Sequence, residues 1–343
     1  MADEYANDKT GRRGPRWWLW AAAVAAGLAL AALLSPLVNP SPDKPAAAVV
    51  PLPPPTPQAT NPPAAPQAIN LTPRVVTPPA PRLTPPPSPP QARSQPSAAS
   101  IATLPPWQRY AMPAPPADGR PRIAIIIDDV GMDRAHTQRA IALKGPVTLA
   151  FLAFAPDLAN QTEAARADGH ELLLHVPMEP VNPTAGMGAN ALTTEQTDDE
   201  VLRRLRWDLD RFPDYVGINN QMGSKFTSEA EPMRVVMGEL RARGLLFVDS
   251  RTIATTVGAQ AARDAGVPFA ARDVFLDDES ASADVPARLK QLEDLARRKG
   301  TAIAIGHPRD TTFAALQRWL PTLPAKGIVL VPVSAIVKQR GGG

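Results

Sequence analysis

The sequence contains no cysteine and only four histidines among its 343 residues. The absence of cysteine excludes a disulfide framework, a thiol nucleophile and a cysteine-type zinc site. The charges are nearly balanced, with 36 basic and 33 acidic residues, and the arginines are interleaved with acids. The chain therefore lacks the basic, aromatic-rich stripe that is typical of nucleic-acid binding, and we expect no nucleic-acid partner.

Proline is distributed very unevenly, with 27 of its 42 occurrences between Ser35 and Arg120. Because proline fixes φ and has no amide donor, this window cannot build helices or central strands. We predict a disordered Pro/Ala-rich linker over residues 39–118, with polyproline II stretches, either as a spacer or as a low-complexity linker without a partner. The globular part is then residues 119–340, which is long enough to bury a substantial core.

One apolar run is long enough to cross a membrane. Residues 17–34 read WWLWAAAVAAGLALAALL without a charge, which gives a helix of about 27 Å for a bilayer core of roughly 30 Å. Four basic residues precede it: Lys9, Arg12, Arg13 and Arg16. This pattern predicts a signal anchor over residues 17–38, with residues 1–16 in the cytoplasm. The protein would then be a single-pass inner-membrane protein with a periplasmic globular domain. The alternative is a cleavable signal peptide, although no small-x-small cleavage site directly follows the run.

Short apolar runs alternate with amphipathic segments throughout the globular part. The predicted strands are RIAIIID, PVTLAFL, HELLLHV, YVGIN, LLFVDS, PFAARDVFLD, TAIAIGH and GIVLVPV. The predicted helices are Asp133–Leu143, Asp157–Ala167, Thr194–Leu209, Glu229–Arg243, Thr256–Ala265, Asp284–Lys299 and Asp310–Leu320. Seven or eight such parallel units in about 220 residues predict an α/β fold of the (β/α) barrel type, whose chemistry gathers at the carboxyl ends of its strands.

Charged and polar side chains follow almost every predicted strand. Asp128 and Asp129 end the first strand, His175 and Glu179 follow the third, and His307 ends the seventh. The other strand-end residues are Asn219, Asn220, Gln221, Ser224, Asp249, Ser250, Arg251, Arg272, Asp273 and Asp277. An imidazole and a carboxylate in an H-x-x-x-E pair can bind one metal ion, since zinc accepts both ligand types.

Each of these residues also has a simpler structural interpretation. Asp128 and Asp129 could cap a helix, although Asp133 is better placed to do so. His175 could be a hydrogen-bonded core histidine, and His307 could cap the helix that follows it. The remaining two histidines, His136 and His170, fall in a predicted helix and at the bottom of a strand, and we assign them no role.

Six motifs in order, IIIDDVG, LLHVPMEP, GINNQMGS, FVDSRT, RDVFLD and AIGHP, resemble the divergent polysaccharide deacetylase family. The resemblance covers residues 119–338. That family is distantly related to the NodB-type carbohydrate esterases, so the resemblance implies a deformed (β/α)7 barrel. It also implies a divalent metal, with zinc as the expected ion, held by one aspartate and two histidines.

The resemblance assigns roles to individual residues. Asp128 resembles the catalytic base, Asp129 and His175 resemble metal ligands, and His307 resembles the catalytic acid. Asp249 and Arg272 resemble the residues that orient the base. The substrate-binding candidates are Asn219, Asn220, Gln221 and Ser224.

This chain departs from the family pattern at two positions. Glu179 stands where the second histidine ligand is expected, which leaves an Asp/His/Glu set. Gln221 stands where relatives commonly carry histidine. The implied function is metal-dependent removal of acetyl groups from a cell-envelope glycan such as peptidoglycan. The alternative is a catalytically inactive deacetylase-like module that binds peptidoglycan or an envelope partner protein.

Overall fold

The computed structural model describes residues 103–278 and 284–341. The predicted segments 1–16 and 17–38, and the predicted linker up to residue 102, lie outside the described residues. Within the described ranges, no helix combines the length and the apolar character needed to cross a membrane.

Parallel strands form the centre of the fold. They are β1 (Arg122–Val130), β2 (Thr148–Leu152), β3 (Glu171–Met178), β4 (Gly217–Met222), β5 (Leu246–Asp249), β6 (Phe269–Ala271), β7 (Val274–Phe275), β8 (Thr301–Gly306) and β9 (Val329–Leu330). The order across the sheet is β6-β5-β4-β3-β2-β1-β8-β7, and β9 pairs with the start of β1. Every pairing between these strands is parallel, which confirms the predicted α/β class.

Helices follow most of the strands. They are α1 (Pro106–Arg109), α2 (Arg134–Ile141), α3 (Leu158–Ala167), α4 (Asp198–Leu209), α5 (Ala230–Arg243), α6 (Gly258–Ala265), α7 (Val285–Lys299), α8 (Asp310–Trp319) and α9 (Val333–Gln339), with 3₁₀ turns at Phe226–Ser228, Leu320–Thr322 and Pro324–Lys326. The seven predicted helices are all present, whereas α1 and α9 were not predicted. Asp133 caps α2 as expected, since its carboxylate accepts a bond from the His136 amide.

The sheet curls into an open half-barrel of parallel strands, which agrees with the predicted α/β fold of the deformed-barrel type. The predicted strand PFAARDVFLD is divided into β6 and β7, which lie at opposite ends of the strand order and do not pair within the described residues. Arg272 and Asp273 separate them and bond to different neighbours. The Arg272 amide donates to the Asp249 carbonyl, and the Asp273 amide donates to the Ile303 carbonyl. The half-barrel is open between β6 and β7 because consecutive parts of one chain segment pair with different edge strands, β6 with β5 and β7 with β8.

The two faces of the sheet carry separate apolar clusters. Alternate residues of β1, such as Ile123 and Ile125, pack against the surrounding helices. The residues between them, Ala124 and Ile126, belong to a second cluster on what we call the inner face, together with Leu173 of β3 and Ile305 of β8. Because side chains alternate along a strand, this register determines which strand-end side chains point into the half-barrel.

The amino-terminal end of the inner face is covered by α1 and α9. Trp107 of α1 and Ile336 of α9 belong to the inner cluster. The buried carboxylate of Glu171 accepts bonds from the amides of Met112 and Ser334, at 3.2 and 2.9 Å, and from the Ser334 hydroxyl. The end of the predicted linker thus packs against the domain through Trp107 and Met112.

Candidate functional site

The side chains of the two adjacent acids near the end of β1 lie on the same side of the sheet because the strand is irregular at this point. Asp128 continues the inner-face series of Ala124 and Ile126. Normal alternation would turn the next residue outward, but Asp129 has φ of 55° and the pairing with β2 shifts register between Ile127 and Val130. This irregularity lets both carboxylates line one cavity at the open end of the half-barrel.

We call this cavity the cup, and its volume is about 380 Å³. Its lining residues are Asp128, Asp129, His175, Asn220, Gln221, Met222, Ser250, Arg251, Thr252, Arg272, Phe275, Asp277, Asp278, His307 and Arg309. Three of them, Asp129, Met222 and Arg251, are non-glycine residues with positive φ, between 49° and 55°. Such conformations cost roughly 1–3 kcal/mol each and are concentrated at functional sites.

A buried amide joins the first acid to the first histidine. Asn219 of β4 is fully buried, and its Nδ2 donates to Asp128 Oδ1 at 2.8 Å. Its Oδ1 accepts from His175 Nδ1 at 2.8 Å. Because the amide oxygen can only accept, the proton of that bond belongs to Nδ1, and Nε2 of His175 is directed to the cup. Asn219 is therefore a positioning residue for both groups and has no exposed surface for the substrate contact predicted from the sequence.

The candidate acids and imidazoles converge on one point. His175 Nε2 lies 3.5 Å from Asp129 Oδ1 and 3.7 Å from Asp128 Oδ2. His307 Nε2 lies 3.9 Å from Asp129 Oδ2. A continuous series of side-chain contacts thus joins residues that are up to 179 positions apart in the sequence. Asp129 Oδ1 is buried and has no hydrogen-bond partner among the described residues.

A second carboxylate orients His307 from behind. His307 Nδ1 lies 2.9 Å from Asp277 Oδ1, and the His307 amide donates to Asp277 Oδ2 at 2.8 Å. The Thr312 hydroxyl also donates to Asp277 Oδ2, at 2.6 Å. The following helix begins at Asp310 with Arg309 as its N-cap, so His307 does not cap it. Sequence reasoning placed Asp277 at a strand end but gave it no role, because its partner lies 30 residues further along the chain.

The electrostatics of the cup follow from burial and from this pairing. Burial raises the pKa of Asp128, and this effect exceeds the lowering by the charges of His175 and His307. Burial lowers the pKa of His175, but Asp128 and Asp129 outweigh it and raise the pKa to about 9. The pKa of His307 is also raised, because Asp277 and the two β1 acids outweigh its burial. Near neutral pH, His175 thus favours the protonated form.

Glu179 is not brought into the cup. Its Oε1 pairs with Lys225 Nζ at 2.7 Å, and its Oε2 accepts from the amide and the hydroxyl of Thr194. The backbone carbonyl of Glu179 also accepts bonds from the amides of Lys225 and Phe226. These contacts tie the loop after β3 to the loop after β4, and they leave the Glu179 side chain outside the residues that line the cup.

Asp249 also points away from the catalytic candidates. Phe247 of the same strand belongs to the helix-facing cluster, and alternation places Asp249 on that face too. Its carboxylate accepts bonds from the Arg251 amide at 2.8 Å and from the Thr256 hydroxyl at 2.9 Å. It therefore orders the loop after β5 and makes no hydrogen bond to Asp128 among the described contacts.

The remaining candidates have different positions. Arg272 lines the cup, but its guanidinium donates to the carbonyls of Ser250 and Arg251, at 2.7 and 2.8 Å. Ser224 Oγ accepts from a loop amide at residue 181 and does not line the cup.

Two polar residues of β4 do line the cup beside the central cluster. Asn220 Oδ1 accepts from the Ser250 amide, and its Nδ2 donates to the Met222 carbonyl. Gln221 Oε1 is buried without a hydrogen-bond partner among the described residues. Of these two residues, Gln221 is therefore the one with an unbonded acceptor.

Two side chains of the cup, those of Asp129 and His175, are suited to bind a divalent ion. Asp129 has a buried, unbonded oxygen next to His175 Nε2, and His175 is oriented through Nδ1 by Asn219, as metal-binding histidines are oriented in proteins. As they stand, no three Asp, Glu or His side chains within residues 103–278 and 284–341 form a metal-binding group. Glu179, the third ligand predicted from the sequence, is bound elsewhere.

The comparisons with known proteins identify the family of the chain. Residues 125–337 match the family model described as divergent polysaccharide deacetylase. The chain therefore belongs to that family, as the resemblance predicted.

Its relatives include the Escherichia coli K12 protein YibQ, described as uncharacterized, which is 38% identical over 218 residues, 64% of this chain and 68% of YibQ. A Haemophilus influenzae Rd protein is 35% identical over 203 residues, 59% of this chain and 72% of that protein. The crystal structure of an uncharacterized Agrobacterium tumefaciens C58 protein superposes with a TM-score of 0.65 at 33% identity, over 68% of this chain and 95% of that one.

Proposed function

We propose that this domain hydrolyses acetyl groups on a cell-envelope glycan, with peptidoglycan as the first substrate to test. The observation that carries the proposal is the convergence of Asp128, Asp129, His175 and His307 within 3.5–3.9 Å contacts in one cup. Family membership supports the same chemistry. Deacetylation requires a base that activates water and an acid that protonates the leaving amine, and the cup offers one candidate for each.

Asp128 is the proposed base. Burial raises its pKa above that of an ordinary aspartate, which makes the ionised carboxylate a stronger proton acceptor. Its Oδ1 is occupied by Asn219, so Oδ2 is the oxygen available to a water in the cup. Abstraction of a proton by Oδ2 would convert that water into the nucleophile that attacks the acetyl carbonyl.

His307 is the proposed acid. Its Nδ1 is held by Asp277 at 2.9 Å, so its Nε2 faces the cup. The raised pKa lets the ring keep its proton to higher pH than an ordinary imidazole does. Delivery of that proton to the departing nitrogen (or oxygen) would complete the cleavage of the acetyl bond, and Asp277 would stabilise the ring while it is charged.

Asp129 and His175 are the residues that would hold a divalent metal, with zinc as the ion to test. A bound ion of this kind polarises a carbonyl and acidifies a coordinated water. The protonated state of His175 near neutral pH competes with binding of a cation, because a ligand imidazole must be neutral. Metal occupancy should therefore increase with pH.

The location of the domain is part of the proposal. Residues 17–38 are proposed to anchor the chain in the inner membrane, with residues 1–16 in the cytoplasm and the linker extending the domain into the periplasm. The support is the uncharged apolar run and the basic residues that precede it. Such a tether would place the cup next to the glycan of the envelope.

A test of the function is acetate release by the full chain from acetylated glycan oligomers and from peptidoglycan. We expect turnover by the wild-type protein and a loss of about 100-fold or more in Asp128→Asn and His307→Gln, the contribution that a general base or acid makes. Asp168→Asn, a surface substitution at the end of α3, is the control and should retain wild-type activity. Absence of acetate release by the wild-type chain, or full activity of Asp128→Asn, would contradict the proposal.

The second candidate is a non-catalytic module that binds glycan or an envelope partner. The engagement of Glu179 by Lys225 and Thr194 favours it, because the expected third ligand is then missing. Glycan binding without acetate release, at equal affinity in the wild type and in Asp128→Asn, would support this candidate.

A further inference from the structure

The cup contains positive charge that acetyl hydrolysis does not require. Three arginines, Arg251, Arg272 and Arg309, line it together with the acids and imidazoles. Arg309 is tied to the Asp277 carbonyl at 2.8 Å. An N-acetyl group is neutral, so an arginine pair that is directed at the substrate implies a second group of opposite charge.

Arg272 is held rigidly at one side of the cup. Its Nε and Nη2 donate to the carbonyls of Ser250 and Arg251, and its guanidinium lies 4.5 Å from the centre of the Phe275 ring. Within the described residues it makes no ion pair with a carboxylate. Its charge is therefore fixed in place but not neutralised by a direct partner.

Arg251 lines the same cup as Arg272 and has an unfavourable backbone conformation. Its φ is 49°, a left-handed value that costs a non-glycine residue about 1 kcal/mol or more. The Asp249 carboxylate holds this turn through the Arg251 amide. The Arg251 side chain is exposed and has neither a hydrogen bond nor an ion pair among the described residues.

The two guanidinium groups carry like charges and line the same cup. Burial lowers the pKa of Arg272 and the charge of Arg251 lowers it further, and these effects exceed the raising by the carboxylates of Asp128, Asp249 and Asp278. A conformation that keeps two like charges together and strains the backbone is stabilised when an anion binds between them. Guanidinium groups bind carboxylates through paired hydrogen bonds, which a neutral sugar hydroxyl cannot match.

We propose that Arg251 and Arg272 form a binding site for a carboxylate of the substrate, so that the domain selects acidic, carboxylate-bearing N-acetyl glycans over neutral ones. This proposal rests on the proposed function, because it places the carboxylate beside the acetyl group that the cup attacks. Arg251 is then a specificity-determining residue, and Arg272 binds the same group from the rigid side.

The experiment compares two probes, one of which has its carboxylate neutralised by a single methyl group. They are a disaccharide of N-acetylglucosamine and N-acetylmuramic acid, and the methyl ester of the same disaccharide. Equilibrium binding to the full chain is measured by calorimetry at low and at high salt. We expect the free acid to bind about tenfold more tightly than the ester, and this preference should shrink as salt increases.

Arg251→Asn is the informative variant, because asparagine tolerates left-handed backbone better than most residues and so preserves the turn. The acid-to-ester preference should fall about threefold or more in Arg251→Asn, with a residual preference from Arg272, and should fall less in Arg251→Lys. Arg318→Gln, which removes an exposed arginine of α8 outside the cup, is the matched control and should keep the full preference. Equal binding of acid and ester by the wild type, or a full preference in Arg251→Asn, would overturn the proposal.

Acetate release from the two probes separates this proposal from the proposed function. A preference for the acid without acetate release would support the carboxylate site and refute the hydrolase. Acetate release from both probes at equal efficiency would support the hydrolase and refute the carboxylate site.

Discussion

Replacement of Asn219 should remove the hydrogen-bonded link between the proposed base, Asp128, and His175. Asn219→Leu keeps a similar volume but removes the 2.8 Å bonds to Asp128 and His175. The bond to the carboxylate is charge-assisted and is worth about 1.5–3 kcal/mol, and the second bond is worth about 1 kcal/mol. Because the site is fully buried, water cannot easily replace either bond. We therefore expect Asn219→Leu to lower the free energy of unfolding by about 2.5–4 kcal/mol.

Asn219→Asp tests the electrostatic part of the same argument. It places a second carboxylate 2.8 Å from Asp128 Oδ1, where the amide stood. Two acids at this distance cannot both ionise easily, so they share a proton and titrate as a pair. The acidic limb of the pH–rate profile for acetate release should therefore move to higher pH.

The measurements are thermal or denaturant unfolding of the full chain and the pH dependence of acetate release. Asn220→Leu is the matched control, because this neighbouring asparagine loses two bonds to backbone groups and none to an acid. It should lose stability without moving the pH profile. The reasoning is refuted if Asn219→Leu loses less than about 1 kcal/mol, or if Asn219→Asp has the wild-type pH profile.

Three further predictions concern single side chains. Burial raises the pKa of Asp208 to about 7, so the folded protein keeps a proton that the unfolded chain loses near pH 4, and stability falls between about pH 4 and 7. Asp208→Asn should remove this fall and stabilise the protein at pH 8 by up to about 4 kcal/mol, measured by unfolding at several pH values; an unchanged pH dependence would contradict the assignment. Gly217→Ala would place a Cβ 2.1 Å from the Leu246 carbonyl oxygen. We expect the free energy of unfolding to fall by at least about 2 kcal/mol in the same assay. An unchanged free energy of unfolding would show that β4 and β5 can move apart without cost. Asp277→Asn removes a charge that raises the pKa of His307, so the loss of acetate release at high pH should begin at a lower pH, and an unshifted basic limb would show that His307 is not the acid.

The sequence allowed much of the site to be predicted because parallel strands end at one edge. Asp128, His175 and His307 each follow an apolar strand, and each occupies an inner-face position two residues after an inner-face core residue. Alternation along a strand needs no long-range information. The convergence of these three residues could therefore be expected from the pattern alone.

The same alternation explains one misplaced candidate. Asp249 ends an apolar strand as Asp128 does, but it follows the helix-facing series of Phe247 and points outward. The run LLFVDS does not indicate which of its faces is the inner one, so the phase of the strand could not be assigned from the sequence.

Candidates in loops could not be placed from local spacing. Glu179 lies four residues after His175, but its orientation depends on Thr194, 15 residues further along the same loop, and on Lys225 in the loop after β4. Asp277 depends in the same way on His307, 30 residues away. The division of PFAARDVFLD into two strands at opposite sheet edges is likewise set by partners in β5 and β8.

The most direct test of the account is Zn²⁺ binding by the full chain, measured by equilibrium titration near pH 8. Asp129 and His175 lie 46 positions apart in sequence and 3.5 Å apart in the fold, whereas Glu179 is paired with Lys225. We predict about one zinc ion per chain in the wild type and in Glu179→Gln, and a loss of at least about tenfold in affinity in Asp129→Asn and in His175→Gln. Zinc binding that survives Asp129→Asn, or that disappears in Glu179→Gln, would contradict the account.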